Sequence, residues 1–391
     1  MADVFFYVQH LLGIGHLRRC VAVANGLARA GISVQLVSGG NPVTNLGIID
    51  DTNLVLKQLP PVRARDGNFT DLVDEHNNAV DEKWWDHRRQ RLMDVWTAGR
   101  APILITESYP FARRMMRPEL LPLLRASAAE TFSKINICSV RDIPQPKSKP
   151  ERAIETGQIL GEHYNHVLVH GDKSVAVLQE TFPGIEKVCG DCAIHYTGYV
   201  DIDSNETLAS QTTSDVLVSA GGGAAGLQFY CATLDAAKQD SDRLWRILVG
   251  PNVGDEDYST LLSLKTDNVI IERNRADFRS LLQASTVSIS QAGYNTLVDI
   301  LRTDVASVLV PYAKGQEREQ TMRARKFSAS GRVVLLNEES LDSTSILRAL
   351  DRARQLHDRN RNSADAVRSN TLRIDGVAQT VKLVRQCLSE L

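Results

Sequence analysis

The sequence predicts an α/β protein with two Rossmann-like domains that face each other across a cleft, and a C-terminal helix that returns to the N-terminal domain. Three observations predict this class. The chain of 391 residues is too long for one comfortable hydrophobic core. Short apolar runs alternate with helix-length amphipathic stretches, which is typical of parallel α/β architecture. After a polar stretch over 202–215 the same alternation starts again, which indicates a second domain built like the first.

The first half opens with a predicted strand over 4–10, followed by a crossover helix over 15–31 that Gly31 ends. A polar segment over 66–99 has no regular period, so no element is assigned to it. The later strands of this half are predicted over 33–40, 54–60, 102–111, 134–144 and 166–172.

The second half contains six short strands at the spacing of a βαβ series, over 215–223, 243–252, 268–274, 286–293, 306–312 and 332–336. The stretch before it is rich in Ser, Thr, Asn and Asp, as linkers are. The last helix repeats apolar residues at helical spacing and must bury them on something. The predicted boundaries are an N-terminal domain over 1–200, a linker over 201–214, a C-terminal domain over 215–372 and the returning helix over 373–391.

The composition is that of an ordinary globular protein, with 43% hydrophobic and 24% charged residues. The net charge of -2 lacks the basic excess of a nucleic-acid-binding protein, so no nucleic-acid partner is expected. No run approaches the roughly 18 apolar residues of a membrane span. Asp3 stands where a signal peptide carries positive charge. We therefore expect a cytoplasmic protein.

The most informative segment is 286–320, which reads as a buried strand, a glycine turn, a helix, a second buried strand and a polar loop. Gly293 permits the turn, and Asn295 and Thr296 present short polar side chains at the helix N-terminus. Free N–H groups and the helix dipole make such a terminus an anion site. Asp299 lies on the same helix face, where it can accept from the two hydroxyls of a ribose. Ordinary capping and a solvated acid are the alternatives.

The loop after the next strand favours the ligand-binding interpretation. Residues 311–320 are dense in polar groups at the carboxyl end of a buried strand, where parallel sheets bind their ligands. Glu319 offers acceptors, and Gln320 offers a donor and an acceptor, so the pair suits sugar hydroxyls. A charged helix start is the alternative. An anion site beside several hydroxyl-binding groups predicts a nucleotide-sugar as the ligand.

The first strand leads into the loop GIGHLRR over 13–19. Gly13 and Gly15 permit a tight turn close to a ligand. His16 falls in the first turn of the following helix, whose N-terminus disfavours the imidazolium form. We expect a neutral His16 that accepts a proton as a general base. The alternative is a histidine that only caps the turn.

Residues 221–226 match G-x-G-x-x-G, the pattern of a dinucleotide site. That site also requires an acidic residue at the end of the next strand, and here the next strand ends in Gly-Pro-Asn. Gly222 and Gly223 are therefore interpreted as residues of the cleft at which the backbone can come close to another group. They either touch the ligand or only permit tight packing.

Two D-x-D matches, at 201–203 and 255–257, could signal a metal-dependent transferase, but a linker and a helix start explain them locally. Cys189 and Cys192 form one C-x-x-C pair without a second pair at zinc-site spacing. We expect no metal and no cofactor; a nucleotide-sugar would act as co-substrate.

The two loops together resemble the GT-B glycosyltransferases, and most of all the peptidoglycan N-acetylglucosaminyltransferase group that makes lipid II. The resemblance rests on the GIGHLRR loop and on the segment 290–320, with its Ser-Gln-Ala-Gly turn, its helix acid, its Val-Pro strand end and its Glu-Gln pair. It implies that the C-terminal domain binds a UDP-sugar, that the N-terminal domain binds the acceptor, and that transfer needs no metal. We expect inverting transfer with His16 as the base.

Carried over residue by residue, the resemblance places Gly293, Asn295 and Thr296 at the diphosphate. Asp299 stands where the family has a ribose-binding Glu, which is one methylene longer. The remaining donor residues that it implies are Glu319 and Gln320 at the hydroxyls of the sugar and Arg273 beside the uracil.

A second resemblance keeps an alternative open. The G-x-G-H-x-x-R pattern of Gly13, Gly15, His16 and Arg19 is similar to that of UDP-sugar hydrolases of nonulosonic acid synthesis, in which the same His would activate water. A nucleotide-sugar-binding protein without catalysis is a third possibility. The acceptor stays unknown: the basic stretch 113–121 would either sit against a membrane that carries a lipid-linked acceptor or pack its apolar side on the sheet.

Overall fold

The structure, a computed structural model, describes residues 1–65, 71–146, 150–202, 214–221, 227–313, 318–362 and 372–391. The chain divides into two compact units: Met1–Asp203 together with Arg373–Leu391, and Ser204–Leu372. Each unit is built around one parallel sheet, which confirms the two Rossmann-like halves. Most of the predicted linker, 201–214, lies outside the described residues.

The N-terminal unit contains nine strands among its described residues, and seven of them form the sheet. In chain order the nine are β1 (Val4–Val8), β2 (Val34–Ser38), β3 (Leu54–Gln58), β4 (Arg63–Ala64), β5 (Leu72–Val73), β6 (Ile103–Glu107), β7 (Ile135–Arg141), β8 (His166–His170) and β9 (Ala193–Tyr196). The sheet order is β3-β2-β1-β6-β7-β8-β9, all parallel, and β4 and β5 form a separate antiparallel pair. The helices are α1 (Gly15–Arg29), α2 (Glu82–Gly99), α3 (Arg117–Ala129), α4 (Pro150–His163) and α5 (Ile185–Val188).

Strand β1 shows that this sheet is buried on both faces. All five of its residues are fully buried. Phe5 and Tyr7 belong to one hydrophobic cluster, whereas Val4, Phe6 and Val8 belong to another, because successive side chains of a strand point to opposite faces. Burial on both faces is typical of parallel sheets. Ligands of such sheets are met by the loops at the carboxyl ends of the strands.

The C-terminal unit repeats the arrangement with six parallel strands in the order β12-β11-β10-β13-β14-β15. They are β10 (Ser214–Ser219), β11 (Trp245–Val249), β12 (Val269–Arg273), β13 (Ser285–Ser290), β14 (Ala306–Leu309) and β15 (Val334–Leu335). The helices are α6 (Leu227–Gln239), α7 (Asp255–Ser263), α8 (Phe278–Gln283), α9 (Tyr294–Thr303), α10 (Glu319–Ala329) and α11 (Ser343–Asn362).

The last helix, α12 (Gly376–Ser389), returns to the N-terminal unit as predicted and packs against α1. Val384 and Cys387 are buried in the same cluster as the inner face of α1. A Cβ at Gly26 would stand 2.1 Å from Val377 Cγ1, so the glycine lets the two helices approach closely. The Arg385 guanidinium also donates to the carbonyl of Ala30 at 2.7 Å, near the C-terminus of α1.

Helix α2 occupies part of the segment 66–99, to which the sequence analysis assigned no element. Its local signal is Asp81, whose side chain accepts from the backbone N–H of Trp84 at 2.7 Å and so caps the N-terminus. Only a few residues of the helix are buried, among them Trp96, whose ring meets Phe5 edge-on at 5.1 Å. A narrow buried stripe gives a weak helical period, which explains why the pattern was missed.

Candidate active site

His16 lies in the first turn of α1, and its imidazole is held from across the sheet. Its Nδ1 is 2.5 Å from Oε1 of Glu107, the last residue of β6. Because β6 is the parallel neighbour of β1, both loops that carry these side chains emerge at the carboxyl edge of the sheet. The N-cap position of α1 is Ile14, without a side-chain hydrogen bond. The ring of His16 therefore bonds a carboxylate instead of capping its own helix.

Glu107 is the centre of the cluster. Its side chain is fully buried, and its Oε1 accepts from Arg19 Nη2 at 2.6 Å and from the hydroxyl of Ser108 at 2.5 Å. Arg19 lies three residues after His16, so both face Glu107 from the same side of α1. Ser108 has a φ of 64°, a left-handed turn conformation directly after the strand. Among the described residues Glu107 Oε2 has no hydrogen-bond partner.

Arg113 adds a second positive charge. Its Nε donates to the carbonyl of Gln9 at 2.8 Å, at the end of the first strand. Burial alone favours protonation of Glu107, but His16, Arg19 and Arg113 outweigh it and hold the pKa of this carboxyl well below its usual range. The cluster of one carboxylate and two guanidiniums is thus net positive even before His16 is counted.

Burial lowers the pKa of His16 to about 3, with Glu107 opposing the shift and Arg113 and Arg19 reinforcing it. The imidazole is therefore neutral at physiological pH. A neutral ring beside a carboxylate donates its Nδ1–H to Glu107, which leaves Nε2 as the basic nitrogen. A neutral ring with a fixed tautomer has Nε2 free of a proton, so that this nitrogen can accept one.

A second histidine, His170 at the end of β8, lies in the same network but has a different role. Burial lowers the pKa of His170 to about 3. Its Nε2 is 2.8 Å from the Ser139 hydroxyl and its Nδ1 is 2.8 Å from the Thr197 hydroxyl. Because both ring nitrogens are engaged with hydroxyls, His170 supports the carboxyl ends of the central strands and does not compete with His16 as a base.

Beneath the loops lies a buried ion pair between Arg88 of α2 and Glu119 of α3. Both side chains are fully buried, and Arg88 Nε and Nη2 donate to the two carboxylate oxygens at 2.6 and 2.9 Å. Arg88 also donates to the Gln9 side chain at 2.8 Å, and the Tyr7 hydroxyl bonds Glu119. The pair therefore braces Gln9, whose carbonyl holds Arg113.

Replacing Glu119 by glutamine is expected to lower the free energy of unfolding by about 3–5 kcal/mol, because it leaves the buried Arg88 guanidinium without a counter-charge. Urea denaturation measures the change. The matched control is Glu162→Gln, an exposed glutamate of α4 whose loss should change stability by less than about 0.5 kcal/mol. Equal effects of the two substitutions would show that the Arg88–Glu119 pair does not stabilise the fold.

Gly13 and Gly15 are not required for a left-handed turn, because both have φ outside that region. Their close approach to a ligand stays a prediction. Gly13 is exposed and Gly15 is half-buried at the start of α1.

In the C-terminal unit, the ends of β10 and β13 bring three of the relevant residues together. Gly221 has a φ of 64°, and a Cβ placed there would stand 3.4 Å from the hydroxyl oxygen of Thr296; a Cβ at Gly293 would stand 3.7 Å from the same atom. Gly293 is the N-cap residue of α9 and provides no side-chain cap. Among the described residues, no N-cap side chain satisfies the first N–H groups of α9 at this point. Gly222 and Gly223 lie outside the described residues.

Two buried polar atoms at this terminus lack hydrogen-bond partners among the residues described. They are the Ser290 hydroxyl, at the end of β13, and Oδ1 of Asn295 in the first turn of α9. Buried polar atoms are almost always paired in proteins, so such exceptions mark places where a ligand or water completes the site. The diphosphate role of this helix terminus stays a prediction.

The other predicted donor residues already have protein partners. Arg279 of α8 donates twice to Asp299 Oδ1, at 2.9 and 2.7 Å, so a ribose contact there would share or displace that ion pair. Arg273, at the end of β12, donates to the carbonyl of Val253 at 2.6 Å, pairs with Asp255 at 2.7 Å and lies 4.1 Å from the ring centre of Tyr258. The ribose and uracil roles stay predictions.

Glu319 and Gln320 begin α10, directly after β14 and its loop. Glu319 is buried and pairs with Arg323 at 3.0 Å, and Arg323 donates to the carbonyl of Ala292 at 2.8 Å, next to Gly293. Gln320 accepts from the backbone N–H of Tyr312 at 3.2 Å. These contacts tie the start of α10 to the glycine turn before α9, within the same edge of the sheet.

The structure describes most of the cysteines and acids weighed as metal ligands; Asp203 of the first D-x-D match lies outside the described residues. Burial raises the pKa of Cys189, and it raises that of Cys192 to about 12, so both thiols stay protonated. Asp255 of the second D-x-D match is paired with Arg273. In the described part of the chain no group of three or more His, Cys, Asp or Glu side chains is placed to hold a metal ion. Metal independence stays a prediction.

Solved structures define the class of fold. The chain aligns over 98% of its length with MurG of Acinetobacter baumannii (99% of that chain, TM-score 0.56, 13% identity). It aligns over its whole length with the calicheamicin glycosyltransferase CalG4 (99% of that chain, TM-score 0.62, 14% identity). The fold of this protein is the GT-B fold of glycosyltransferases, as predicted.

Sequence comparison adds a match to one family model and a set of curated relatives. Residues 217–380, which comprise most of the C-terminal unit and the start of α12, match the model of the glycosyltransferase family 28 C-terminal domain. Curated relatives are UDP-N-acetylglucosamine–N-acetylmuramyl-(pentapeptide) pyrophosphoryl-undecaprenol N-acetylglucosamine transferases. The protein from Carboxydothermus hydrogenoformans is 31% identical over 106 residues, 26% of this chain and 29% of that protein. The one from Wolbachia pipientis subsp. Culex pipiens is 22% identical over 222 residues, 56% of this chain and 64% of that protein.

These findings confirm the predicted resemblance to GT-B glycosyltransferases of the peptidoglycan group. A third relative with the same name, from Prochlorococcus marinus, is matched over only 24% of its own length. Across the described residues, none of the helices combines the length and apolarity needed to cross a bilayer.

Proposed function

We propose that this protein is an inverting glycosyltransferase that moves a sugar from a UDP-sugar to an acceptor hydroxyl, with His16 as the general base. The observation that carries the proposal is the neutral His16 held through Nδ1 by the buried Glu107. The family 28 domain over 217–380 and the open start of α9 support a nucleotide-sugar as the donor.

In this mechanism Nε2 of His16 takes the proton of the acceptor hydroxyl while the oxygen forms a bond to the anomeric carbon. The bond from that carbon to the UDP oxygen breaks on the opposite side, so the configuration inverts. Glu107 stabilises the imidazolium as it forms. The negative charge on the departing diphosphate is met by the N–H groups at the start of α9 and by the Thr296 hydroxyl, which are fixed dipoles before the reaction begins.

Two alternatives use the same residues. In a UDP-sugar hydrolase His16 would deprotonate water, and the resemblance of the first loop to such hydrolases favours this as the second candidate. A binding protein without turnover would use the donor loop alone.

The curated relatives act, by their names, on a pyrophosphoryl-undecaprenol acceptor. We therefore propose a lipid-linked hydroxyl as the first acceptor to test, with the protein peripheral to the membrane.

A thermal-shift screen of UDP-, GDP- and dTDP-sugars tests the donor, because a ligand that binds the folded state raises the melting temperature. We expect UDP-sugars to stabilise the protein most. Thr296→Val, which removes one hydroxyl at constant volume, should weaken UDP binding about tenfold, as the loss of a hydrogen bond to a charged group does. Thr303→Val at the far end of α9, whose hydroxyl bonds the Asp299 carbonyl, is the matched control and should have no effect.

Assays of UDP release separate the three activities. Release only in the presence of an acceptor identifies the transferase, release without one identifies the hydrolase, and binding without release identifies the binding protein. Stabilisation by GDP- or dTDP-sugars alone would contradict the choice of donor.

A further inference from the structure

A small open cleft lies in the N-terminal unit, on the outer side of the loop that follows β6. It lies between the start of α3 and the start of α4, and it is distinct from the His16 cluster. The side chains that line it include Tyr109, Arg114, Arg117, Arg152, Glu155 and Thr156. Two of these arginines belong to the basic stretch 113–121, for which the sequence analysis weighed a membrane surface against packing on the sheet. Met116 and Leu120 are buried in the core, and Arg114 and Arg117 are exposed, whereas Arg113 turns inward to the carbonyl of Gln9.

The cleft has more positive charge than its own acid can compensate. Glu155 accepts from both Arg114 and Arg117, at 2.9 and 2.5 Å, and Arg152 lies one helical turn before it on α4. Two guanidiniums thus share this carboxylate, and a third lines the same cleft. The acid in the first turn of α3, Glu119, is buried against Arg88 and does not face the cleft.

Two of these arginines lie at helix starts, and the first turn of α4 also contains the acid Glu151. Arg117 is the first residue of α3, and Arg152 lies in the first turn of α4. The N-terminus of a helix carries partial positive charge, and cations there are destabilising. Two helix starts and three arginines that converge on one cleft create a strongly positive potential, which an anion would neutralise.

Tyr109 supplies an independent sign that a ligand completes the cleft. It lines the cleft, it is 2% exposed, and its hydroxyl has no hydrogen-bond partner among the described residues. The backbone of Tyr109 is held in place, because its carbonyl accepts from the Tyr164 hydroxyl at 3.1 Å. A buried phenol is expected to donate to some acceptor.

We propose that this cleft binds a phosphoryl anion, a phosphate or diphosphate group carried by a ligand of the N-terminal unit. Arg114, Arg117 and Arg152 supply the charge-assisted hydrogen bonds, since guanidinium groups match phosphate oxygens in geometry. The Tyr109 hydroxyl donates a further hydrogen bond to the anion. Tyr109 lies two residues after Glu107, so the anion site and the His16 site share one loop. The binding does not depend on the proposed transferase activity.

Calorimetric titration with inorganic pyrophosphate and with orthophosphate tests the site on the full chain. The double variant Arg117→Ala/Arg152→Ala should bind pyrophosphate at least about tenfold more weakly, and Tyr109→Phe about threefold to tenfold more weakly. The matched control is Arg91→Ala/Arg361→Ala, which removes two positive charges from exposed positions outside the cleft. It should change the affinity for pyrophosphate less than about twofold. If the double variant does not fold, the exposed Arg152→Ala alone replaces it.

Absence of saturable pyrophosphate binding, or equal affinity in the cleft and control variants, would overturn the proposal. So would a loss of binding in Thr296→Val but not in the cleft variants, because the anion would then bind at the start of α9. Titration with geranyl diphosphate identifies the source of the group. Binding at least about tenfold tighter than that of pyrophosphate, lost in the cleft variants, indicates a lipid-linked phosphate, and equal binding indicates a free one.

Discussion

His16→Ala is expected to reduce turnover by about two to four orders of magnitude, which is the contribution of a general base. The affinity for UDP should stay within about twofold of wild type, because the proposed diphosphate groups lie at the start of α9 in the other unit. Steady-state kinetics with an acceptor and calorimetry with UDP measure the two quantities. The control is His76→Ala, an exposed histidine whose removal should change neither.

The pH dependence follows from the same site. Because burial lowers the pKa of His16 to about 3, the neutral base form persists from pH 7 down to about pH 5, and kcat/KM should show no acid limb from this residue in that range. An ordinary histidine would lose half of its base form near pH 6.5.

Full activity of His16→Ala, or loss of UDP affinity in that variant, would contradict the assignment of His16 as the base.

Glu107→Gln is expected to reduce turnover by about two to four orders of magnitude, even though the shape of the side chain is kept. A carboxylate accepts only, and so it fixes the Nδ1–H tautomer of His16; an amide can donate to Nδ1 and stabilise the wrong tautomer. The Glu107→Gln substitution also removes the negative charge that stabilises the imidazolium. Rates should be normalised to folded protein, because the buried Arg19 loses its counter-charge and the fold is expected to lose stability.

Ser108→Ala is the matched control for this prediction. It removes one of the three hydrogen bonds to the same Oε1 but keeps the carboxylate and its charge, so turnover should fall less than about tenfold. If Ser108→Ala and Glu107→Gln lose activity equally, Glu107 acts through the geometry of its loop and does not orient the base.

The two sheets were predictable from sequence because parallel strands buried on both faces leave continuous apolar runs, such as Val4–Val8. Helix α2 and strand β9 were missed, since their buried residues are few and their periods weak. The first-loop histidine was found because a glycine-rich turn and a helix start are local features. Its partner Glu107 was missed, although it is an acid at the end of a predicted strand.

Sequence alone determined the repeated α/β halves, the returning helix and the two loops that carry His16 and Thr296, because each depends on residues close together in the chain. Only the tertiary structure decided the chemistry of the His16 site. Glu107 and Arg113 reach His16 from another strand and its loop, about 90 residues away. The protonation state and tautomer of an imidazole depend on burial and on charges within a few ångströms, and a linear sequence does not specify which distant charges fold into that distance.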